Sequence, residues 1–191
     1  MNPVTHLLAG WMIADQCKLA PRDRAFVSWA SVISELDSIG YVVDFANKIL
    51  GRAETLYYET YHHNWGHGLP AALLTTLVVY CFALEKRKTA WLALLSFHLH
   101  LLMDLAGSRG SNPFDIWPIH YLAPLSKMLT FSWSGQWPLT GWQNTIITIV
   151  LMAMCLYTAI LRGRSPVILF NERADSVFID TLRKRFYKYS G

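Results

Sequence analysis

Apolar and polar positions fall in blocks along this chain. Leu69 to Leu84, Thr89 to Leu105 and Trp142 to Leu161 are apolar runs that read as membrane helices, although only the last comfortably meets the roughly 20-residue requirement for crossing a bilayer. Two shorter apolar stretches, His6 to Ala14 and Ala25 to Ile33, come first. At about 1.5 Å per residue neither can cross a hydrocarbon core of about 30 Å, so they are expected to form an embedded hairpin whose polar ends the other helices cover. The break between them, Lys18-Leu19-Ala20-Pro21-Arg22-Asp23-Arg24, is a basic, proline-containing turn. From Asp175 to Tyr189, Phe178, Leu182 and Phe186 recur at i, i+4 and i+8 among Arg and Lys, the pattern of an amphipathic helix lying on anionic lipid. The expected fold is all-α: an integral membrane bundle with about three spanning helices, two short embedded N-terminal helices and an amphipathic C-terminal helix. Residues 1–161 would form the membrane unit and 162–191 a basic cytoplasmic tail.

Composition agrees with that class. Of 191 residues 53% are hydrophobic and only 16% charged, too few solubilising side chains for a water-soluble domain of this size. Cys17, Cys81 and Cys155 are far apart and show no C-x-x-C spacing, so neither a disulfide framework nor a thiolate zinc site is implied. The amino end lacks the basic region of a secretory signal and is expected to stay as the first helix.

The net charge of +4 would fit nucleic acid if it were clustered for that purpose, but its distribution follows the membrane instead. Basic residues beside short membrane segments stay on the cytoplasmic side. If the five apolar segments pass alternately, starting from outside, Lys18, Arg22, Arg24, Lys86, Arg87, Lys88 and the seven basic residues from Arg162 to Lys188 share one side. Only Lys48, Arg52, Arg109 and Lys127 fall on the other, a split of 13 to 4 among 17 Lys and Arg. Membrane lipid is therefore the expected partner, and nucleic acid is not.

The side away from the basic loops collects the unusual polar residues: His6, then Glu35 and Asp37 at the end of the second segment, His62 and His67 before the third, and His100 and Asp104 near the outer end of the fourth. Four stretches thus deliver imidazoles and carboxylates to one depth. His100 and Asp104, four apart, share a helix face and can address one ion, whereas His98 faces away and, like His120, is expected to pack. His63, at i to i+4 with His67, is open to either role. Nitrogen and oxygen donors without thiolate suit zinc, manganese or iron, with one to three ions and room left for water that would ionise near neutral pH. A proton or ion pathway could use the same residues.

With these residues assembled, the chain resembles the YdjM-like family of LexA-regulated, membrane-bound metal-dependent hydrolases, over roughly Met1 to Pro118. His6 in Thr5-His6-Leu7-Leu8 matches the family's early histidine. Ser34-Glu35-Leu36-Asp37 stands in place of its Pro-Asp-x-Asp, and His62-His63-Asn64-Trp65-Gly66-His67-Gly68 in place of His-Arg-Gly-x-Thr-His-Ser. Leu99-His100-Leu101-Leu102-Met103-Asp104 matches Ser-His-x-x-x-Asp. Glu35 is one methylene longer than the family's aspartate, and His63 and Gly68 replace its Arg and Ser. More remotely the set is similar to the zinc-dependent phospholipase C and single-strand nuclease superfamily, which implies phosphoester hydrolysis. The resemblance implies a bacterial inner-membrane protein with its site outside the cytoplasm.

The expected activity is hydrolysis of a phosphoester, lipid-linked because the ligands sit near headgroup depth. His6, Glu35, Asp37, His62, His67, His100 and Asp104 would hold the metal, with Glu35 or Asp37 serving the attacking water. Arg109, five residues beyond Asp104, would grip a phosphate oxygen through its guanidinium fork. A non-catalytic metal-binding membrane protein, a transport or sensing subunit, is the other reading that the same ligands support.

Overall fold

Prolines set the first two helices. Pro3 opens α1, Pro3–Gln16, behind the N-cap Asn2, whose side chain accepts from Thr5 N at 2.9 Å, and Pro21 opens α2, Pro21–Ala30. In the computed structural model, which describes residues 1–62 and 65–186, the chain is mostly helical. A 3₁₀ turn, Ile33–Ser38, leads from α2 into α3, Ile39–Ile49, and α4, Tyr57–Tyr61. Then come α5, Leu69–Phe82, α6, Lys86–Gly107, and a long connection whose only sheet pairs β1, Ile119–His120, with β2, Thr130–Phe131, antiparallel. The chain ends in α7, Trp142–Arg162, a second 3₁₀ turn, Pro166–Leu169, and α8, Glu172–Phe186.

Among the described residues two helices, α6 with 22 residues and α7 with 21, are long and apolar enough to cross a membrane. The expectation of about three is corrected by α5: it has 14 residues, about 21 Å of helix, because the chain leaves helical geometry at Ala83. In compensation α6 starts earlier than its apolar run, taking Lys86, Arg87 and Lys88 into its first turn. Buried Asp23 caps that end. It accepts from the backbone N–H of Leu84 and Glu85 at 2.9 and 2.8 Å and from Thr89 Oγ1 at 2.8 Å, which ties α2 to the α5–α6 turn.

The helices pack through small side chains. Ala72, Ala83, Ala90, Ala93, Ala14 and Ala159 are buried where α1, α2, α5, α6 and α7 meet, while Leu74, Leu77, Trp91, Leu102, Ile149 and Tyr157 point outward. Small residues let helices approach closely, and placing the large apolar ones outside reverses the usual order of a water-soluble core.

Residues beyond 161 do not stand apart as a tail. Gly163 adopts the left-handed conformation (φ 64°) that ends α7 and turns the chain back. Arg162 and Arg164 then pair with buried Asp15 of α1 at 3.3 and 3.0 Å. On α8, Asp175 and Ile179 are buried, Phe178 and Leu182 are half-buried, and Phe186 is exposed, so part of the expected amphipathic face is spent on packing against α7. Lys188 and Tyr189 lie outside the described residues.

Candidate metal centre

The donors come from α1, from the segments that follow α2 and precede α5, and from the end of α6, and several of them line one cavity. His6 is in the second turn of α1, Glu35 and Asp37 lie on the 3₁₀ turn after α2, and His62 and His67 precede α5. His100 and Asp104 come from the last two turns of α6. His67 lies two residues before Leu69, the first residue of α5, with Gly68 as the N-cap between them.

Asp104 is the hub of a first group. Its Oδ1 lies 3.1 Å from His6 Nε2, its Oδ2 lies 3.0 Å from His100 Nε2 and 3.5 Å from His67 Nε2, and Glu35 Oε1 is 3.7 Å from His6 Nε2. The α-amino group of Met1 and Ser108 Oγ also donate to Asp104. One donor atom from each of His6, Glu35, His100 and Asp104 lies within 4.8 Å of the others. A second group, Asp37, His62 and His67, meets the same measure. In it Asp37 Oδ1 is 2.7 Å from His62 Nδ1, and Oδ2 is 2.9 Å from His67 Nδ1 and accepts from Gly66 N at 3.0 Å. His67 faces both groups, one ring nitrogen toward Asp37 and the other toward Asp104. All seven predicted donors are thus brought together at one end of the bundle.

The imidazoles are held from behind. His100 Nδ1 donates to the carbonyl of Ser31 at 2.9 Å, which fixes the ring's orientation and turns Nε2 toward Asp104 Oδ2 and toward Ser34 Oγ, at 2.8 Å. Ser31 Oγ in turn donates to the carbonyl of His6 at 2.8 Å. His62 stacks on Tyr58 with ring centroids 4.5 Å apart and meets Trp117 edge-on. Gln136, fully buried, donates to the carbonyls of Asp104 and Leu105, and Asn144 donates to the carbonyl of Gly107, so the connection after α6 anchors its end. These supporting residues escape sequence reasoning, because a lone Ser or Gln carries no spacing signal.

Electrostatics favours a cation. Glu35 and Asp104 are carboxylates lining the cavity; the Met1 α-ammonium pairs with Asp104, and among the described residues no Lys or Arg side chain forms an ion pair with either, which leaves Glu35 facing imidazole alone. Buried negative charge of this kind calls for positive charge from a metal or from protonated imidazole. Burial, with the charge of Asp104 next, raises the Glu35 carboxyl above its ordinary range. Burial would do the same to Asp37, but hydrogen bonds from His62 and His67 outweigh it and hold that carboxyl well below the usual range. At His67 burial acts to lower the pKa, and hydrogen bonding to Asp104 and Asp37 reverses this, raising it to about 9. A cation binding His67 must displace that proton, so loading releases protons below about pH 9 and affinity climbs as pH rises toward that value. Calorimetric titration with a divalent cation near neutral pH, in two buffers of different protonation enthalpy, should show net proton release. Equal apparent heats in both buffers would mean that His67 stays out of the metal's shell.

Both groups border a cavity of about 320 Å³, lined among others by Glu35, Tyr41, Tyr58, His62, His67 and Asp104. Arg109 is not among the residues lining it: its backbone is sewn to Trp137 and Leu139 at 3.2 and 2.8 Å, and the predicted grip on phosphate finds no support in this placement. His98 and His120 pack as expected. His98 bonds the carbonyl of Leu94 and Tyr121 Oη at 2.8 and 2.9 Å, and His120 bonds Thr130 Oγ1 at 2.9 Å. His63 lies outside the described residues. Compared with models of known families, with curated proteins and with solved structures, the chain matches none.

Proposed function

We propose that the chain is an integral membrane hydrolase of phosphoesters, of the YdjM-like kind, working with divalent cations of the zinc type. The carrying observation is the pair of adjoining donor groups that meet at Asp104 and His67 on the wall of one cavity. His6, Glu35, His100 and Asp104 would hold one cation, and Asp37, His62 and His67 a neighbouring one. Oxygen and imidazole donors without thiolate fit zinc, with manganese or iron acceptable to the same set. Cations bound there would polarise a phosphoryl oxygen and make water acidic enough to attack near neutral pH.

The chain's own groups supply the rest. Glu35 is half-buried at the cavity wall, where burial raises its carboxyl above the ordinary range; in place of binding the cation it would serve as the base that takes a proton from water at Oε1 and returns it to the leaving oxygen. Asp37 is occupied by two imidazoles and a backbone N–H, so its part is to orient His62 and His67 and hold their shared charge. Tyr58 and Trp117 keep the plane of His62 fixed and shield that side from water.

Membrane residence rests on α6, α7 and the reversed polarity of the bundle surface, with the basic turn before α6 on one side and the metal centre on the other. The test is direct. Purified protein should carry stoichiometric transition metal by elemental analysis and hydrolyse members of a panel of aryl phosphomonoesters and phosphodiesters, and His100→Ala should lose both. Metal without turnover on the whole panel would favour the transport or sensing reading. Equal turnover in wild type and His100→Ala would remove the enzyme reading.

A further inference from the structure

The hairpin of α3 and α4 runs between Asp37 and His62, two members of the second donor group, and its polarity is inverted. Gly40, Asp44 and Asn47, at i, i+4 and i+7 of α3, face inward against α4. Asp44 accepts from Thr55 Oγ1 at 2.6 Å and from the backbone N–H of Tyr57 and Tyr58 at 3.1 and 2.8 Å, and Asn47 donates to Thr55 Oγ1 at 3.1 Å. Asp44 and Asn47 are therefore spent inside the hairpin, and Lys48 is the charged side chain that α3 leaves exposed. Its other face, Ile39, Val42, Val43, Ala46, Ile49 and Leu50, is continuous, apolar and outward, with Ile39 65%, Val42 62% and Ile49 69% exposed.

A contiguous apolar face of this size marks a lipid or protein contact. Three features select lipid. The face continues the outward Leu, Ile and Trp side chains of a bundle that already shows apolar groups on its surface. Lys48 and Arg52, both exposed at the far end of the hairpin, complement anionic headgroups. Finally, the face runs into the metal cavity, because Val42 and Tyr41 line that cavity together with Glu35, His62 and Asp104.

We propose that α3 lies in the acyl layer of the bilayer at the mouth of the cavity, which therefore admits a membrane lipid sideways, its phosphoester at the metal centre and its chains beside Tyr41 and Val42. The substrate half of this proposal rests on the hydrolase reading of the same site. It also explains the shape of the cavity, polar at the donor groups and apolar where α3 forms its rim.

The experiment uses the full chain, metal-loaded, in vesicles of dioleoyl phosphatidylethanolamine and phosphatidylglycerol. Nitroxides are attached at single cysteines replacing Val43, Ile49 or Arg52, in a background where Cys17, Cys81 and Cys155 are substituted. Labels at 43 and 49 should be relaxed strongly by oxygen and weakly by a water-soluble nickel chelate, with the opposite ranking at 52. In parallel, 4-nitrophenyl hexadecyl phosphate is compared with 4-nitrophenyl ethyl phosphate, which has the same reacting group. The hexadecyl ester should show a kcat/KM at least about tenfold higher, since two buried methylenes already suffice for that ratio. Val43→Glu/Ile49→Glu should lose this advantage while hydrolysing the ethyl ester as wild type does. Nickel-accessible labels at 43 and 49 would overturn the lipid contact, and equal kcat/KM for the two esters would overturn the lipid substrate. Labels in lipid with neither ester hydrolysed would sink the hydrolase reading and leave the lipid contact standing.

Discussion

Asp104→Asn is expected to remove most of the bound divalent cation and, on the hydrolase reading, to abolish turnover. The substitution preserves shape almost atom for atom, so the loss is chemical. Three imidazoles, of His6, His67 and His100, present Nε2 to this one carboxylate at 3.1, 3.5 and 3.0 Å. An amide there removes the negative charge and turns one acceptor into an N–H donor facing nitrogens that must keep lone pairs for the cation. Loss of a supporting group behind a metal ligand costs about 10–100-fold in affinity, so loss of the shared ligand should cost more. Ser34→Ala supplies the calibration, because Ser34 Oγ meets His100 Nε2 at 2.8 Å without being a carboxylate donor itself. Metal content per chain in detergent and the binding constant from competition with a chelator give the readout. Wild-type affinity in Asp104→Asn would dissolve the first donor group as a metal site.

The donors were legible in the sequence because ligand chemistry leaves few alternatives. His and Asp in an apolar setting stand out, and the i, i+4 spacing of His100 and Asp104 specifies a common face. The alternation forced by Lys and Arg then places His6, Glu35, Asp37, His62 and His67 at the same end. The layout of the short helices was less legible. The apolar run to Leu84 continues past the point where Asp23 captures the Leu84 and Glu85 amides, so hydropathy alone overextends α5. The helix α3 was missed for a related reason. Its Asp44 and Asn47 look like loop residues when helices are assumed to turn polar side chains outward, yet here they are the inner face. Arg109 does not line the cavity, because nearness in sequence to Asp104 says nothing about the course of the chain after α6, which pairs the Arg109 backbone with Trp137 and Leu139.

Gly10→Ala is expected to damage the metal centre from a position that holds no donor. A Cβ at Gly10 would lie 2.2 Å from Ser31 Oγ, 2.6 Å from Ser31 Cβ and 2.9 Å from Ser96 Oγ. Rotating the Ser31 hydroxyl relieves the first contact but not the second, so α1 and the end of α2 must move apart. Alanine is the better helix former by about 1 kcal/mol, which offsets part of an overpacking cost of about 1–3 kcal/mol, so the stability change is modest or destabilising. The larger effect falls on the site, because Ser31 is the link between two ligands: its hydroxyl donates to the carbonyl of His6 at 2.8 Å and its carbonyl accepts from His100 Nδ1 at 2.9 Å. Displacing Ser31 tilts both rings, and metal affinity should fall by about the 10–100-fold that lost second-layer support costs. Gly10→Ala/Ser31→Gly separates this cause from a general loosening of the fold. It removes the Cβ that clashes and retains the carbonyl that orients His100 but loses the hydroxyl that bonds the His6 carbonyl, so affinity should return part of the way toward wild type, to the level of Ser31→Gly alone. Unchanged affinity and melting temperature in Gly10→Ala would show slack between α1 and α2 at this crossing, and failure of the double variant to recover would assign the loss to some contact other than Ser31.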